Sequence, residues 1–129
     1  MAKDETRKAT DAELVTLNVL WQKGPSTVRE VHEALTKLRD IRYTTTLKTL
    51  QVMTGKGLVS RDESSRAHIY SAAVGQQETQ RFLVGDLVDK VFGGSAAGLV
   101  AGALSAKKAT PAELAQIRQL LDDAEEEAR

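Results

Sequence analysis

Apolar residues recur along this chain at two different periods, and the period changes divide it into elements. Leu14, Leu17, Leu20 and Trp21 fall at helical spacing and stop at Gly24-Pro25. Val28, Val31, Leu35 and Leu38 form a second helical stripe, with His32 on its polar side as a surface residue. A third stripe, Thr46, Thr49, Leu50 and Met53, follows the linker Arg39-Asp40-Ile41-Arg42 and ends at Lys56-Gly57. The pattern then shortens. Leu58-Val59 begins a strand, Glu63 to Arg66 makes a turn, and Ala67 to Ala73 returns, with Ile69 alternating against His68 and Tyr70 as a half-buried strand requires.

From Gln76 the helical period resumes and the stripe widens. Phe82, Leu83, Leu87, Val88, Val91 and Phe92 lie on one long helix closed by Gly93-Gly94. A small-residue helix runs from Ser95 to Leu104, with Gly98 and Gly102 suited to close packing. Leu114, Ile117, Leu120 and Leu121 mark a last helix, which trails off in acidic residues. Three helix starts carry the Thr-x-x-Glu capping box: Thr10 with Glu13, Thr27 with Glu30, and Thr110 with Glu113, the last with Pro111 at the first helical position. Residues 1–9 are charged and are expected to fray.

These elements predict a mainly α protein with a small antiparallel β-wing. Residues 1–74 make an N-terminal winged helix-turn-helix. Residues 75–129 make a C-terminal three-helix dimerisation region, because so short a helical segment cannot easily hide that much apolar surface alone; a monomer whose helices fold back onto the N-terminal domain is the alternative. The predicted dimer face comprises Phe82, Leu83, Leu87, Val88, Val91, Phe92, Leu99, Val100, Leu114, Ile117 and Leu121.

Charge sharpens the picture. The chain is neutral overall, but residues 1–74 carry a balance of +3 and residues 75–129 a balance of −3. No carboxylate occurs from Ile41 to Arg61, and the polar face of the third helix holds Thr44, Thr45, Lys48 and Gln51. A helix meant only for solvent usually mixes both signs of charge. One meant for the major groove avoids acid and offers donors, acceptors and methyl groups. Thr44, Thr45, Leu47, Lys48 and Gln51 are therefore the base-contact candidates, with Lys48 the best suited to a guanine edge. Arg42, Lys56, Arg61, Arg66 and His68 are the phosphate-contact candidates.

Other chemistry finds little support. The chain has no cysteine, which removes thiolate metal sites, disulfides and cysteine nucleophiles together. His32 and His68 sit on different elements, and Glu125-Glu126-Glu127 is a charged helix end. No catalytic constellation, metal site or cofactor is expected. No apolar run approaches the length of a membrane span, so no membrane insertion and a cytoplasmic location are expected. A winged-helix module that docks proteins without binding DNA is the alternative; an acidic or apolar third helix would favour it.

Ala12-Glu13-Leu14 with Leu20-Trp21, Thr27-Val28-Arg29-Glu30-Val31, Tyr43-Thr44-Thr45-Thr46 with Thr49-Leu50, Lys56-Gly57-Leu58-Val59, Arg66-Ala67-His68-Ile69-Tyr70, and Phe82 to Gly94 occur in that order. Together they resemble the BlaI/MecI/CopY family of bacterial repressors, the penicillinase-repressor type, over about Thr10 to Leu121. The resemblance implies a homodimeric repressor on an inverted-repeat, double-stranded DNA operator with TACA-like half-sites facing TGTA, its C-terminal helices interlocked. It also implies, in the penicillinase branch, a membrane sensor-protease system that triggers release by cleavage. In the family's copper branch the resemblance implies release by metal binding to paired cysteines near the C-terminus, and this chain has no cysteine. The penicillinase branch's Asn–Phe bond is also absent, the corresponding stretch reading Leu99-Val100-Ala101-Gly102-Ala103-Leu104.

Overall fold

The computed structural model describes residues 9–129; the charged stretch expected to fray lies, but for its last residue, outside the described residues. Three helices come first: α1 (Asp11–Lys23), α2 (Val28–Thr36) and α3 (Tyr43–Lys56). Strands β1 (Val59–Asp62) and β2 (Ile69–Ala72) follow, then α4 (Gln76–Val91), α5 (Ala96–Ala106) and α6 (Pro111–Glu127). Three helices and an antiparallel pair make a winged helix-turn-helix, as the periodicity predicts.

The capping chemistry explains where the helices start. Thr10 and Thr27 each accept from the amide three residues on, and Glu13 and Glu30 each return a carboxylate to the cap amide. Thr110 accepts from the Glu113 amide, and Ser95 caps α5 through the Gly98 amide. At the end of α3, Gly57 adopts φ 82°, a left-handed conformation that a side chain would strain, and its amide caps the helix.

The core lies among α1, α2, α3 and the wing. Leu17, Val31, Leu50, Met53 and Leu58 are wholly buried, with Leu20, Leu35, Val59, Tyr70 and Val74 close behind. Two long-range ties close it. Trp21 donates its indole N–H to the Val74 carbonyl at 3.0 Å. Ser26, in the α1–α2 connection, exchanges backbone hydrogen bonds with Tyr70 at 2.8 and 2.9 Å, adding a bridge outside the two strands.

Several burial expectations need correction. Leu38 is 67% exposed, because α2 ends at Thr36 and the chain turns before that side chain can face the core. Trp21, Leu14 and Val28 are half-buried at the edge of the core. Thr49 is also half-buried and turns its hydroxyl back to the Thr45 carbonyl. In the wing Tyr70 points inward and Ile69 is only half-buried, since the register pairs Tyr70 with Arg61 and the Ser26 bridge closes over it.

The chain divides into two compact units, Met1–Gly85 and Asp86–Arg129, with the division inside α4. In the second unit Gly93 and Gly94 both take positive φ, ending the α4 turn. The Phe92 ring lies against Gly98 and Gly102; a Cβ on Gly102 would meet it at 3.2 Å, which is the close packing those glycines suggest. Leu114 and Ile117 are half-buried, but Leu120 and Leu121 are exposed, so α6 does not bury its stripe within one chain. No single helix among the described residues is long and apolar enough to cross a membrane.

Candidate nucleic-acid interface

Helix α3 is seated by Thr46, Leu50 and Met53, all wholly buried. That seat turns Thr44, Thr45, Lys48 and Gln51 outward together, and all four are exposed. Leu47 is half-buried. A shallow groove of about 370 Å³ runs on one side, between Thr44, Lys48 and Val52 of α3 and Thr10 and Ala12 at the start of α1. A larger one, about 550 Å³, lies on the other side, where Leu47 and Gln51 face Arg29 of α2 and Arg66 and His68 of the wing. Helix α3 thus stands as a ridge between two grooves, with the wing as a basic wall.

Arg29 and Tyr43 were not singled out by the sequence, yet both border the larger groove. Their signal was faint. Arg29 sits inside a capping box whose threonine and glutamate account for the segment, and Tyr43 stands out only as part of the family-like stretch Tyr43-Thr44-Thr45-Thr46.

The five phosphate candidates do not stand alike. Arg42 and Arg66 are exposed. Lys56 instead reaches Glu13 at 2.8 Å, joining the end of α3 to the start of α1. Burial pushes the Glu13 carboxyl up. Hydrogen bonds from Lys56 and the Thr10 amide, with the Lys56 charge, outweigh it and hold the carboxyl below the usual glutamate range. One carboxylate oxygen serves both the helix cap and the ion pair. Lys56 therefore has a role in the fold, which its place at the end of α3 did not reveal.

In the wing, Arg61 of β1 is half-buried and stands opposite Tyr70 of β2. The Tyr70 hydroxyl and then Glu63 raise its already high pKa. Its Nη2 lies 3.3 Å from Glu63, and His68 Nε2 lies 3.8 Å from the other Glu63 oxygen. Glu63 thus pairs with Arg61, lies within reach of the His68 ring and tempers the wing's positive potential. Asp62 accepts from the Ser64 amide, which fixes the turn and keeps the carboxyl low.

His32 departs from its expected surface role. It is half-buried, with Nδ1 2.8 Å from the hydroxyl of Thr46 and its ring edge-on to Tyr43. The predicted dimer face is mixed within one chain. Phe82, Leu83, Val88, Phe92, Leu99, Leu114 and Ile117 are half-buried, while Leu87, Val91, Val100 and Leu121 are exposed.

Comparison with known proteins bears on the family and the fold. Residues 9–123 match the penicillinase repressor family. The transcriptional regulator BlaI from two strains of Mycobacterium tuberculosis is 42% identical over 69 residues, covering 53% of this chain and 50% of the relative. The match thus spans about half the length of these curated relatives. Among solved structures, the complex structure of hsRosR-S4 aligns over the whole of both chains with TM-score 0.56 at 17% identity. A MarR family protein from Bacillus stearothermophilus aligns over 98% of this chain and 84% of its own, with TM-score 0.54 at 18% identity. At those identities the two structures speak for the fold alone. The family match covers nearly the whole described chain, and the chain belongs to the penicillinase repressor family.

Proposed function

We propose that the protein is a sequence-specific DNA-binding transcriptional repressor that acts as a homodimer on an inverted-repeat operator. Residues 1–74 bind DNA and residues 75–129 hold the dimer together. The single observation that carries this reading is the outward face of α3. It presents Thr44, Thr45, Lys48 and Gln51 without a carboxylate, beside a wing that exposes Arg66. Lys48 suits a guanine O6/N7 edge and Gln51 an adenine edge. Arg42, Arg66 and Arg29 suit phosphates, which supply affinity and its salt dependence. The exposed apolar residues of α4, α5 and α6 support a second copy as their cover.

The test is selection of duplexes from a random library by the full-length protein, followed by mobility shifts at several salt concentrations. The reading expects enrichment of a two-fold-symmetric sequence with half-sites about 10 base pairs apart or a multiple of that. Absence of any enriched or shifted duplex would leave the winged-helix protein-docking module standing instead. For release, we propose a sensor-protease system as the partner, acting in the C-terminal region. Intact mass of the protein from repressed and derepressed cells tests it: an unchanged mass on release contradicts cleavage.

A further inference from the structure

We propose that His32 is a positioning residue for DNA recognition: reaching from α2, it fastens the first turn of α3 in place of an N-cap and fixes the face that this helix presents. The consequence for DNA rests on the reading above; the fastening rests on geometry alone.

Helices α1, α2, α5 and α6 each begin with a threonine or serine whose oxygen accepts a first-turn amide. Arg42, the residue before α3, makes no side-chain cap. The first amides of a helix have no partner within it, so an uncapped end is prone to fray. The helix whose placement matters most for reading DNA thus has no side-chain cap of its own at the start.

His32 supplies the anchor from outside. Its Nδ1 lies 2.8 Å from Thr46 Oγ1, and its ring meets Tyr43 edge-on at 5.4 Å between centroids. Tyr43 and Thr46 are three residues apart, so both contacts fall on one face of the first turn of α3. Thr46 is wholly buried, and a buried hydroxyl needs a partner. Thr16, Thr49 and Thr54 find theirs in the carbonyl four residues back in their own helix. Thr46 meets His32 across the helix pair instead. A hydroxyl both donates and accepts, so this bond survives whichever ring nitrogen carries the proton. The arrangement is a strut between the two helices.

Lys48 lies roughly 200° round the helix from Thr46. A small roll of the first turn is therefore carried to the tip of the Lys48 side chain, while Leu50 and Met53 still hold the second half of the helix. Base contacts tolerate little displacement. Phosphate contacts depend chiefly on charge and tolerate more.

The experiment uses the full-length protein, a duplex enriched by the wild type and a scrambled duplex of the same composition. His32→Phe keeps a ring against Tyr43 and removes the bond; Thr46→Val keeps the shape and removes the hydroxyl. His32→Asn returns an amide near the position of Nδ1. Each bond-lacking variant should cut the enriched-over-scrambled affinity ratio roughly tenfold. The double variant should be no worse than either single one, and His32→Asn should stay within about threefold of wild type. Amide hydrogen exchange at Thr45 to Leu47 should quicken in both single variants while core amides of α1 stay protected, which separates the strut from general unfolding. An unchanged ratio, or additive losses in the double variant, would overturn the proposal. A lower ratio with unchanged exchange would make His32 a DNA contact and also overturn it. If the wild type enriches no duplex, the DNA reading fails on its own. Exchange in His32→Phe then still decides the strut: faster supports it, unchanged overturns it.

Discussion

The two units of this chain carry apolar stripes of similar period and put them to different use. In the N-terminal unit eleven apolar residues are buried, and α1, α2, α3 and the wing close over them. From Asp86 to Arg129 no residue is buried, and Val91, Leu120 and Leu121 are each more than half exposed. Periodicity says which residues share a face. It does not say whether this chain or another molecule covers that face. The N-terminal stripe is a core in its own right, and the C-terminal stripe is proposed to await a second copy.

Single substitutions can break this contrast. Leu50→Ala should cost about 2–5 kcal/mol, because it opens a cavity in the packed core of the N-terminal unit. Urea melts followed by Trp21 fluorescence measure it. Leu121→Asp should leave that melt nearly unchanged in dilute protein but dissociate the dimer. The loss should be on the order of 3 kcal/mol, about a hundredfold in Kd, since two-fold symmetry places the charge twice in one interface. Sedimentation across a concentration series checks it. A wild type that is monomeric at tens of micromolar would remove the C-terminal half of the comparison.

Within the N-terminal unit, Glu13→Gln should cost roughly 1–2 kcal/mol near neutral pH, because it weakens a helix cap and the tie to Lys56 together. The Glu13 carboxyl is held low in the folded protein. Its contribution is therefore complete above the ordinary glutamate pKa of about 4.3 and fades as pH falls through the depressed value. The variant should show a flatter loss of stability on acidification than the wild type. Melts at neutral pH and below about pH 4 compare the two. The smallest effect should be that of Arg66→Ala. It should weaken binding about equally on every duplex and lower the salt slope by about one unit. An altered sequence preference with an unchanged slope would assign the wing to base reading.

Much of the fold was legible because its signals are local. The Thr-x-x-Glu boxes, the Gly57 stop and the three-residue and four-residue spacing of Leu17, Leu20, Val31 and Leu35 each act within one or two turns. The outward face of α3 was legible for the same reason: once Thr46, Leu50 and Met53 are inside, Thr44, Lys48 and Gln51 must be outside. What escaped depends on partners distant in sequence. Glu13 and Lys56 meet across the helical layers, His32 finds Thr46 on the next helix, and Ser26 bridges to Tyr70. Periodicity carries none of those pairings. The wing's phase escaped because alternation alone cannot choose between Ile69 and Tyr70; the strand register and the Ser26 bridge choose Tyr70.

The most direct test of sequence-specific recognition by α3 is Lys48→Ala, measured on an enriched duplex and on a scrambled one at a single salt concentration. Lys48 is exposed and lies opposite the buried seat of its helix, so folding should be untouched. Loss of a guanine contact should cost roughly 1–3 kcal/mol per half-site on the enriched duplex and much less on the scrambled one. Equal losses on both would assign Lys48 to phosphate. No loss on either would mean that α3 does not enter the groove, and would contradict the account.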